Sequence, residues 1–236
     1  MLEATAASII ANLDLSKIVL AIGSLGVAAS GLVDATKAFG GGISNRGFGE
    51  IRKVVSRLIP VSSADKSSPS ALALPSVLAT LRANWLNGMA LADQKAIAKA
   101  LIKLNLTRAT ATTMAAAIGV DANVLTSIAG KLGTGEALTS PETDVYGRFD
   151  LLLTSLLDQG YQRGDQQYRN GAKLLAVPVA VGLAVLGAWS LDGVLTCLNF
   201  WRAVAGGLLA TPLAPVAKDL SSAIQSGVKV AQSWRK

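Results

Sequence analysis

Histidine is absent from this 236-residue sequence, and cysteine occurs once, as Cys197. Without histidine the chain lacks the commonest general base and metal ligand, which excludes Ser-His-Asp catalysis, Cys-His catalysis and histidine–zinc sites. A single cysteine excludes an intrachain disulfide and a cysteine-ligated metal cluster. The sequence also contains no P-loop and no dinucleotide-binding fingerprint. We therefore expect a non-enzymatic protein that binds no metal or other cofactor.

Charged residues are scarce: Asp, Glu, Lys and Arg make up 16% of the chain, against about 25% in soluble domains. The hydrophobic residues reach 51%, and the formal net charge is +7. A basic excess is typical of proteins that bind nucleic acid or an anionic membrane surface. The apolar composition favours the membrane. The sustained alternation of apolar and polar residues that marks strands is also lacking, so we predict an all-α protein.

Three charge-free runs predict about three transmembrane helices. The longest has 18 residues, Leu174 to Leu191, which is the length that crosses a hydrocarbon core of ~30 Å. The others are Ile18 to Val33 and Ala203 to Ala217. We assign transmembrane helices to residues 17–39, 172–198 and 200–219. The third is short and contains two prolines, so it either spans the membrane or forms a re-entrant segment.

The remaining segments are predicted from apolar periodicity and from glycine and proline breaks. They are an N-terminal amphipathic helix (1–16), a basic amphipathic surface helix (43–59), a cytoplasmic helical domain (75–138), a helix leading into the membrane (144–171) and an amphipathic basic tail (220–236). A basic amphipathic helix beside a span favours the headgroup layer of anionic lipid, although a domain helix with a solvated basic face has the same pattern. The predicted membrane-surface contacts are Arg46, Arg52, Lys53, Arg57, Trp234, Arg235 and Lys236.

Two stripes of small residues are candidates for helix packing. The first span carries Ser24, Ala28, Gly31 and Ala35, and the second carries Ala176, Ala180, Ala184 and Ala188. Small residues let helices approach closely in lipid, although a chain rich in alanine and glycine also produces such stripes by chance. We expect a homo-oligomer, with other membrane subunits as further possible partners.

An acidic residue lies at or near the end of each predicted span: Asp34, Asp192 and Asp219. Acids inside a membrane often line a path for ions, whereas acids at the interface are unremarkable. Each of the three is therefore either a pore-lining residue or an interfacial one.

The distribution of lysine and arginine predicts the orientation. Most of these residues follow the first span, precede the second or lie in the tail, whereas Lys17 and Arg202 lie on the opposite side. The positive-inside rule then places the N-terminus outside and the middle domain and C-terminus in the cytoplasm.

Residues 110–131 resemble the helix-turn-helix of phage-repressor-type regulators. Gly119 is at the turn, and Val120, Leu125 and Ile128 are at core positions. The resemblance implies that residues 121–129 would enter the major groove. That segment contains no Arg, Lys or Gln for base edges, so we do not expect nucleic acid as a partner.

Three further segments resemble parts of an uncharacterised family of bacterial membrane proteins: RFDLLLTSLLDQGYQRGDQQYRN, the span that ends at Leu191-Asp192, and GGLLATPLAPVAKDL. In that family an amphipathic helix with a tyrosine and basic residues precedes a span that ends in an aspartate. The last motif departs from the family's Gly-Ala-Pro, because Leu213-Ala214-Pro215 replaces it and the aromatic residues are missing. The resemblance implies residence in the bacterial inner membrane and carries no function.

These patterns favour an oligomeric membrane subunit that anchors, or acts as a scaffold for, a cytoplasmic helical domain. The alternative is an ion channel or pore-forming effector that uses the three acids. A membrane-tethered DNA-binding regulator is a remote third alternative.

Overall fold

The computed structural model of the chain describes residues 15–60 and 72–233, and every regular element in these ranges is helical. The all-α prediction is therefore confirmed. The α-helices of the described ranges are α1 (Leu15–Ala35), α2 (Ser44–Leu58), α3 (Leu74–Leu86), α4 (Leu91–Leu104), α5 (Arg108–Ile118), α6 (Ala122–Thr134), α7 (Ser140–Asp192) and α8 (Cys197–Ser233). Residues 1–14 of the predicted N-terminal helix lie outside the described residues, as do Trp234, Arg235 and Lys236.

The chain divides into two compact units. Unit 1 comprises Met1–Gly42 and Asn170–Lys236, and unit 2 comprises Ile43–Arg169. Helix α7 contributes to both units, because the boundary falls inside it. Three successive glycines with positive φ angles, Gly40, Gly41 and Gly42, follow α1. Since only glycine adopts such angles without strain, they end the first helical segment of unit 1.

Unit 2 is larger than the predicted domain 75–138, because α2 and the first part of α7 belong to its core. Helix α2 buries Phe48, Ile51, Val55 and Leu58 in that core. Helix α7 adds Phe149, Leu153, Leu157 and Tyr161. The predicted surface helix 43–59 is thus a core helix of unit 2. Its apolar face, for which the sequence left open the headgroup layer or a domain core, contacts the side chains of unit 2.

Helices α2 and α7 approach closely within unit 2 through two glycines. A Cβ atom added to Gly164 would lie 2.8 Å from the carbonyl oxygen of Gly47, and one added to Gly47 would lie 2.5 Å from that of Gly164. Beside this contact, Trp85 Nε1 donates a hydrogen bond of 3.0 Å to the carbonyl oxygen of Ser44. Larger side chains at either glycine would force the two backbones apart.

Helix α4 is tied to α7 by a ladder of lysine–aspartate pairs. Lys95 contacts Asp158 at 2.5 Å, while Lys99 and Lys103 contact the two carboxylate oxygens of Asp150 at 2.6 and 3.0 Å. Burial alone would raise the pKa of Asp150, but the hydrogen bonds from the two lysines outweigh it and lower the pKa. The lysines, spaced four residues apart, therefore form an interhelical face of α4.

Within residues 15–60 and 72–233, two helical stretches are long and apolar enough to cross a membrane, namely Lys17–Ala38 and Ser140–Leu191. The second merges the predicted helix 144–171 with the predicted span 172–198, because no residue between them breaks the helix. This helix ends at Asp192 rather than at residue 198. The next residue, Gly193, adopts a φ of +67°, and its N–H donates a hydrogen bond to the carbonyl oxygen of Trp189.

Helix α8 likewise merges the predicted segment 200–219 with the tail as far as Ser233. It is not among the helices that meet the length and hydropathy required for a span. Arg202 and Lys218 bound its charge-free run, which also includes Pro212 and Pro215. The run is therefore shorter than a typical span.

Candidate functional site

Helix α1 packs on α8 in unit 1 through small residues. A Cβ atom added to Gly26 would lie 2.0 Å from the carbonyl oxygen of Ala210, and one added to Gly23 would lie 2.2 Å from the Cβ atom of Ala217. Ala29, Ala180 and Ala210 are each fully buried in one cluster. Close helix packing of this kind is typical of membrane proteins, where backbone approach replaces the hydrophobic driving force.

The predicted small-residue stripes have different surroundings. All four members of the α1 stripe are exposed: Ser24, Ala28, Gly31 and Ala35. The buried face of α1 is instead the neighbouring one, formed by Gly23, Gly26, Ala29 and Val33. In the α7 stripe Ala176 and Ala180 are buried, and Ala184 and Ala188 are half-buried. The α7 stripe therefore faces other helices of unit 1, and the α1 stripe faces away from them.

The predicted acids Asp34 and Asp219 have different surroundings in unit 1. Asp34 forms an ion pair of 2.6 Å with Lys37, three residues further along the chain. Asp219 is exposed on α8, and Asp192 is the last residue of α7. Neither Asp34 nor Asp219 lines the two grooves of unit 1.

The two grooves of unit 1 are mostly apolar. The larger one has a volume of about 910 Å³ and lies between α1, α7 and α8, where Lys173 and Lys218 are its charged residues. The smaller one has a volume of about 450 Å³ and contains Arg202 as its charged residue. Sequence reasoning did not single out Lys173 and Lys218 as a pair. The available signal was their position, since each directly adjoins a charge-free run.

The basic residues of α2 point away from the core of unit 2. Arg46, Arg52, Lys53 and Arg57 are all exposed, so they remain able to contact an anionic surface. Lys53 is also paired with Glu50 at 2.6 Å, and this hydrogen bond lowers the pKa of Glu50. Because the apolar face of α2 is occupied, any contact of this helix with lipid would be electrostatic.

Helices α5 and α6 form a helix-turn-helix whose polar residues are used inside unit 2. Gly119 ends α5 with a φ of +85°, and the Asp121 carboxylate caps α6 by accepting hydrogen bonds of 2.9 Å from two backbone N–H groups. Asp121 thus serves the helix terminus. Ser127, which lies in the segment 121–129 of the resemblance, and Lys131, which follows that segment on α6, both donate hydrogen bonds to Glu142 of α7. We find no basic face on α6 for a DNA groove among these described residues.

Glu142 is the best-connected carboxylate among the described residues of unit 2. It accepts hydrogen bonds from Lys131 Nζ (2.6 Å), Ser127 Oγ (2.8 Å), and the backbone N–H and hydroxyl of Thr139 (2.8 and 2.9 Å). The Lys131 bond, followed by those of Thr139 and Ser127, lowers the pKa of Glu142 from 4.5 to about 2. Glu142 therefore caps the start of α7 and ties it to α6 as an anion.

Within the described ranges, no group of three or more acidic or cysteine side chains could hold a metal ion. No protein-family model, curated protein or solved structure matches this chain.

Proposed function

We propose that this chain is a non-enzymatic, oligomeric subunit of the bacterial inner membrane, which anchors unit 2 as a helical scaffold on the cytoplasmic side. The exposure of the apolar helices carries the proposal. In the most apolar window of each candidate span, only 22% (α1) and 11% (α7) of the residues are buried. A core helix of a water-soluble protein buries its apolar face, so surfaces of this kind favour lipid as the solvent.

The proposed topology has three spans, with residues 200–219 as the third, the N-terminus outside and the C-terminus in the cytoplasm. Two features support it. The positive-inside rule favours this orientation, and the charge-free run of α8 packs on α1 through glycines, as membrane helices do.

The native cysteine offers a direct test of membrane residence and topology. Cys197 is exposed and follows the turn after α7, so the proposal puts it outside the cytoplasm. A membrane-impermeant maleimide should label it on spheroplasts, and the protein should stay in the membrane pellet after carbonate washing. In a Cys197→Ser background, the exposed position Ser56→Cys of unit 2 should react only after lysis. A protein that stays soluble without detergent would refute membrane residence, and the reverse labelling pattern would refute the topology.

We prefer a scaffold to an ion channel, because Asp34 is paired with Lys37 and Asp219 lies outside both grooves. Liposomes that contain the full chain and a trapped dye distinguish the two. The scaffold predicts leakage no greater than that of empty liposomes. Leakage that is abolished by Asp34→Asn together with Asp192→Asn would instead establish the channel alternative.

The exposed α1 stripe supports the homo-oligomeric part of the proposal. Its four residues are exposed, and a Cβ atom added to Gly31 would meet nothing within 4 Å in the part of the chain that the structure describes. We expect a discrete oligomer in mild detergent, measured by light scattering after size-exclusion chromatography. Gly31→Leu should shift this species towards the monomer. A wild-type protein that is monomeric at all concentrations would contradict this part.

A further inference from the structure

The larger groove of unit 1 combines an apolar wall with two lysines. The apolar wall includes Val27 of α1, Leu174 and Val177 of α7, and Pro212 of α8. Lys173 of α7 and Lys218 of α8 line the same groove. At about 910 Å³, the groove falls within the size range of small-molecule pockets.

The two lysines mark the same kind of boundary in both helices. Lys173 directly precedes the charge-free run Leu174 to Leu191, and Lys218 directly follows the charge-free run Ala203 to Ala217. If these runs lie in hydrocarbon, both ammonium groups lie at headgroup depth, where lysine side chains reach towards phosphates. The structure then adds what the sequence does not give, namely that the two lysines share one groove.

The charge of the groove is uncompensated. No acidic residue lines it, and neither Lys173 nor Lys218 forms an ion pair within the part of the chain that the structure describes. The lysines of unit 2 behave differently, since Lys99 and Lys131 each contact a carboxylate at 2.6 Å. Two unpaired ammonium groups beside an apolar wall are complementary to a molecule with an anionic head and an apolar tail.

We propose that this groove binds one anionic phospholipid, with its phosphate between Lys173 and Lys218 and an acyl chain along the apolar wall. The proposal rests on the membrane residence proposed above, and it adds a defined lipid site to a general surface contact. The ligand class follows from the groove itself: the anionic head matches the lysines, and the acyl chain matches Val27, Val177 and Pro212.

Native mass spectrometry of the full chain in neutral detergent measures the binding. Phosphatidylglycerol, added in low molar excess, should bind with a stoichiometry of one per chain, and phosphatidylcholine should bind much more weakly. Since a lysine near an anionic headgroup contributes about 5-fold in affinity, Lys173→Gln with Lys218→Gln should weaken phosphatidylglycerol binding by about 30-fold. The matched control is Arg148→Gln with Arg163→Gln, which removes the same charge from exposed positions in the unit 2 part of α7 and should leave binding within about 2-fold.

Equal weakening by the two pairs of substitutions would overturn the proposal, because it would show attraction by net charge only. Equal binding of the two lipids would overturn it as well. The carbonate wash and the labelling of Cys197 report membrane residence separately, so a membrane protein without this lipid site is distinguishable from a protein that is not in the membrane.

A photoreactive side chain identifies the occupant directly. With p-benzoylphenylalanine at Val177, irradiation in nanodiscs of phosphatidylglycerol and phosphatidylcholine should give a phosphatidylglycerol adduct in excess of its share of the lipid. The excess should disappear in the Lys173→Gln, Lys218→Gln background. A crosslink to a second copy would overturn the lipid site and indicate a protein interface instead. Adducts in proportion to the lipid composition would overturn it and indicate ordinary bilayer contact.

Discussion

Replacing Gly26 by alanine should loosen the packing of α1 on α8. The added methyl group would lie 2.0 Å from the carbonyl oxygen of Ala210 and 2.6 Å from its carbonyl carbon, where ordinary contacts begin at 3.4 Å. Both obstacles are backbone atoms, so no side chain can rotate away. The helices must instead part by more than about 1 Å at this point, and overpacking of this kind costs about 1–3 kcal/mol.

Gly31 provides the matched control on the same helix, because an added Cβ there would meet nothing within 4 Å. Alanine has the higher helix propensity, so in the monomer Gly31→Ala should leave stability unchanged or raise it by up to about 1 kcal/mol. The higher helix propensity of alanine also stabilises the Gly26→Ala variant and partly offsets the cost of the clash. The two variants should therefore differ in the sign of their effect.

The measurement is the free energy of unfolding in mixed micelles of dodecyl maltoside and sodium dodecyl sulfate, followed by circular dichroism. Measuring it at several protein concentrations separates packing within the chain from association. A Gly26→Ala variant as stable as the wild type would refute the close α1–α8 contact. Destabilisation by Gly31→Ala at concentrations where the chain is monomeric would contradict the free space around Gly31, whereas destabilisation only at higher concentrations would reflect the proposed contact between chains.

Three further predictions concern unit 2. Glu142→Gln should be less stable than the wild type at pH 7. Because the pKa of Glu142 is lowered from 4.5 to about 2 in the folded protein, its carboxylate stabilises the fold above pH 4.5 and loses this effect as the pH falls towards 2. Denaturant unfolding curves of the two proteins should therefore differ at pH 7 and converge near pH 2. Gly164→Ala should cost about 1–3 kcal/mol, since its Cβ would lie 2.8 Å from the carbonyl oxygen of Gly47, while Gly147→Ala, with nothing within 4 Å, should gain up to about 1 kcal/mol. Asp150→Asn removes the acceptor of two lysines and should cost about 1–2 kcal/mol, with a smaller effect in high salt; an unchanged salt dependence would contradict the role of the ion pairs.

The helical class could be predicted from sequence because apolar periodicity and composition are local properties. The packing face of α1 could not. Its two neighbouring faces are both rich in small residues, so residue size alone did not separate the exposed Ser24–Ala28 side from the buried Gly23–Gly26 side. The buried face contains Gly23 and Gly26 at positions where even a methyl group collides with α8. This collision depends on the position of α8, which the sequence of α1 does not give.

The role of α2 was ambiguous for a related reason. An apolar face opposite a basic one predicts burial, but it does not say whether lipid or protein covers the face. Phe48 and Val55 are covered by unit 2, and the membrane interpretation of the pattern reduces to the charges of Arg52 and Arg57.

The predicted boundaries of α7 differ from those in the structure for another reason. A change from charged to apolar residues marks a change of solvent and does not end a helix. Gly193 ends it.

The two faces of α1 together constrain how copies of this chain could associate. The face that contains Gly26 is occupied by α8 within one chain, so it cannot also bind a second copy without displacing that helix. A homo-oligomer formed through α1 must then use the remaining small face, which includes Ala28 and Gly31 and is exposed. In lipid, where close approach rather than hydrophobicity drives association, a helix with small residues on two sides can contact one helix of its own chain and one of a neighbour. The exposed small residues of α1 therefore suit close contact with a second chain, just as the small residues of its buried face suit close contact with α8.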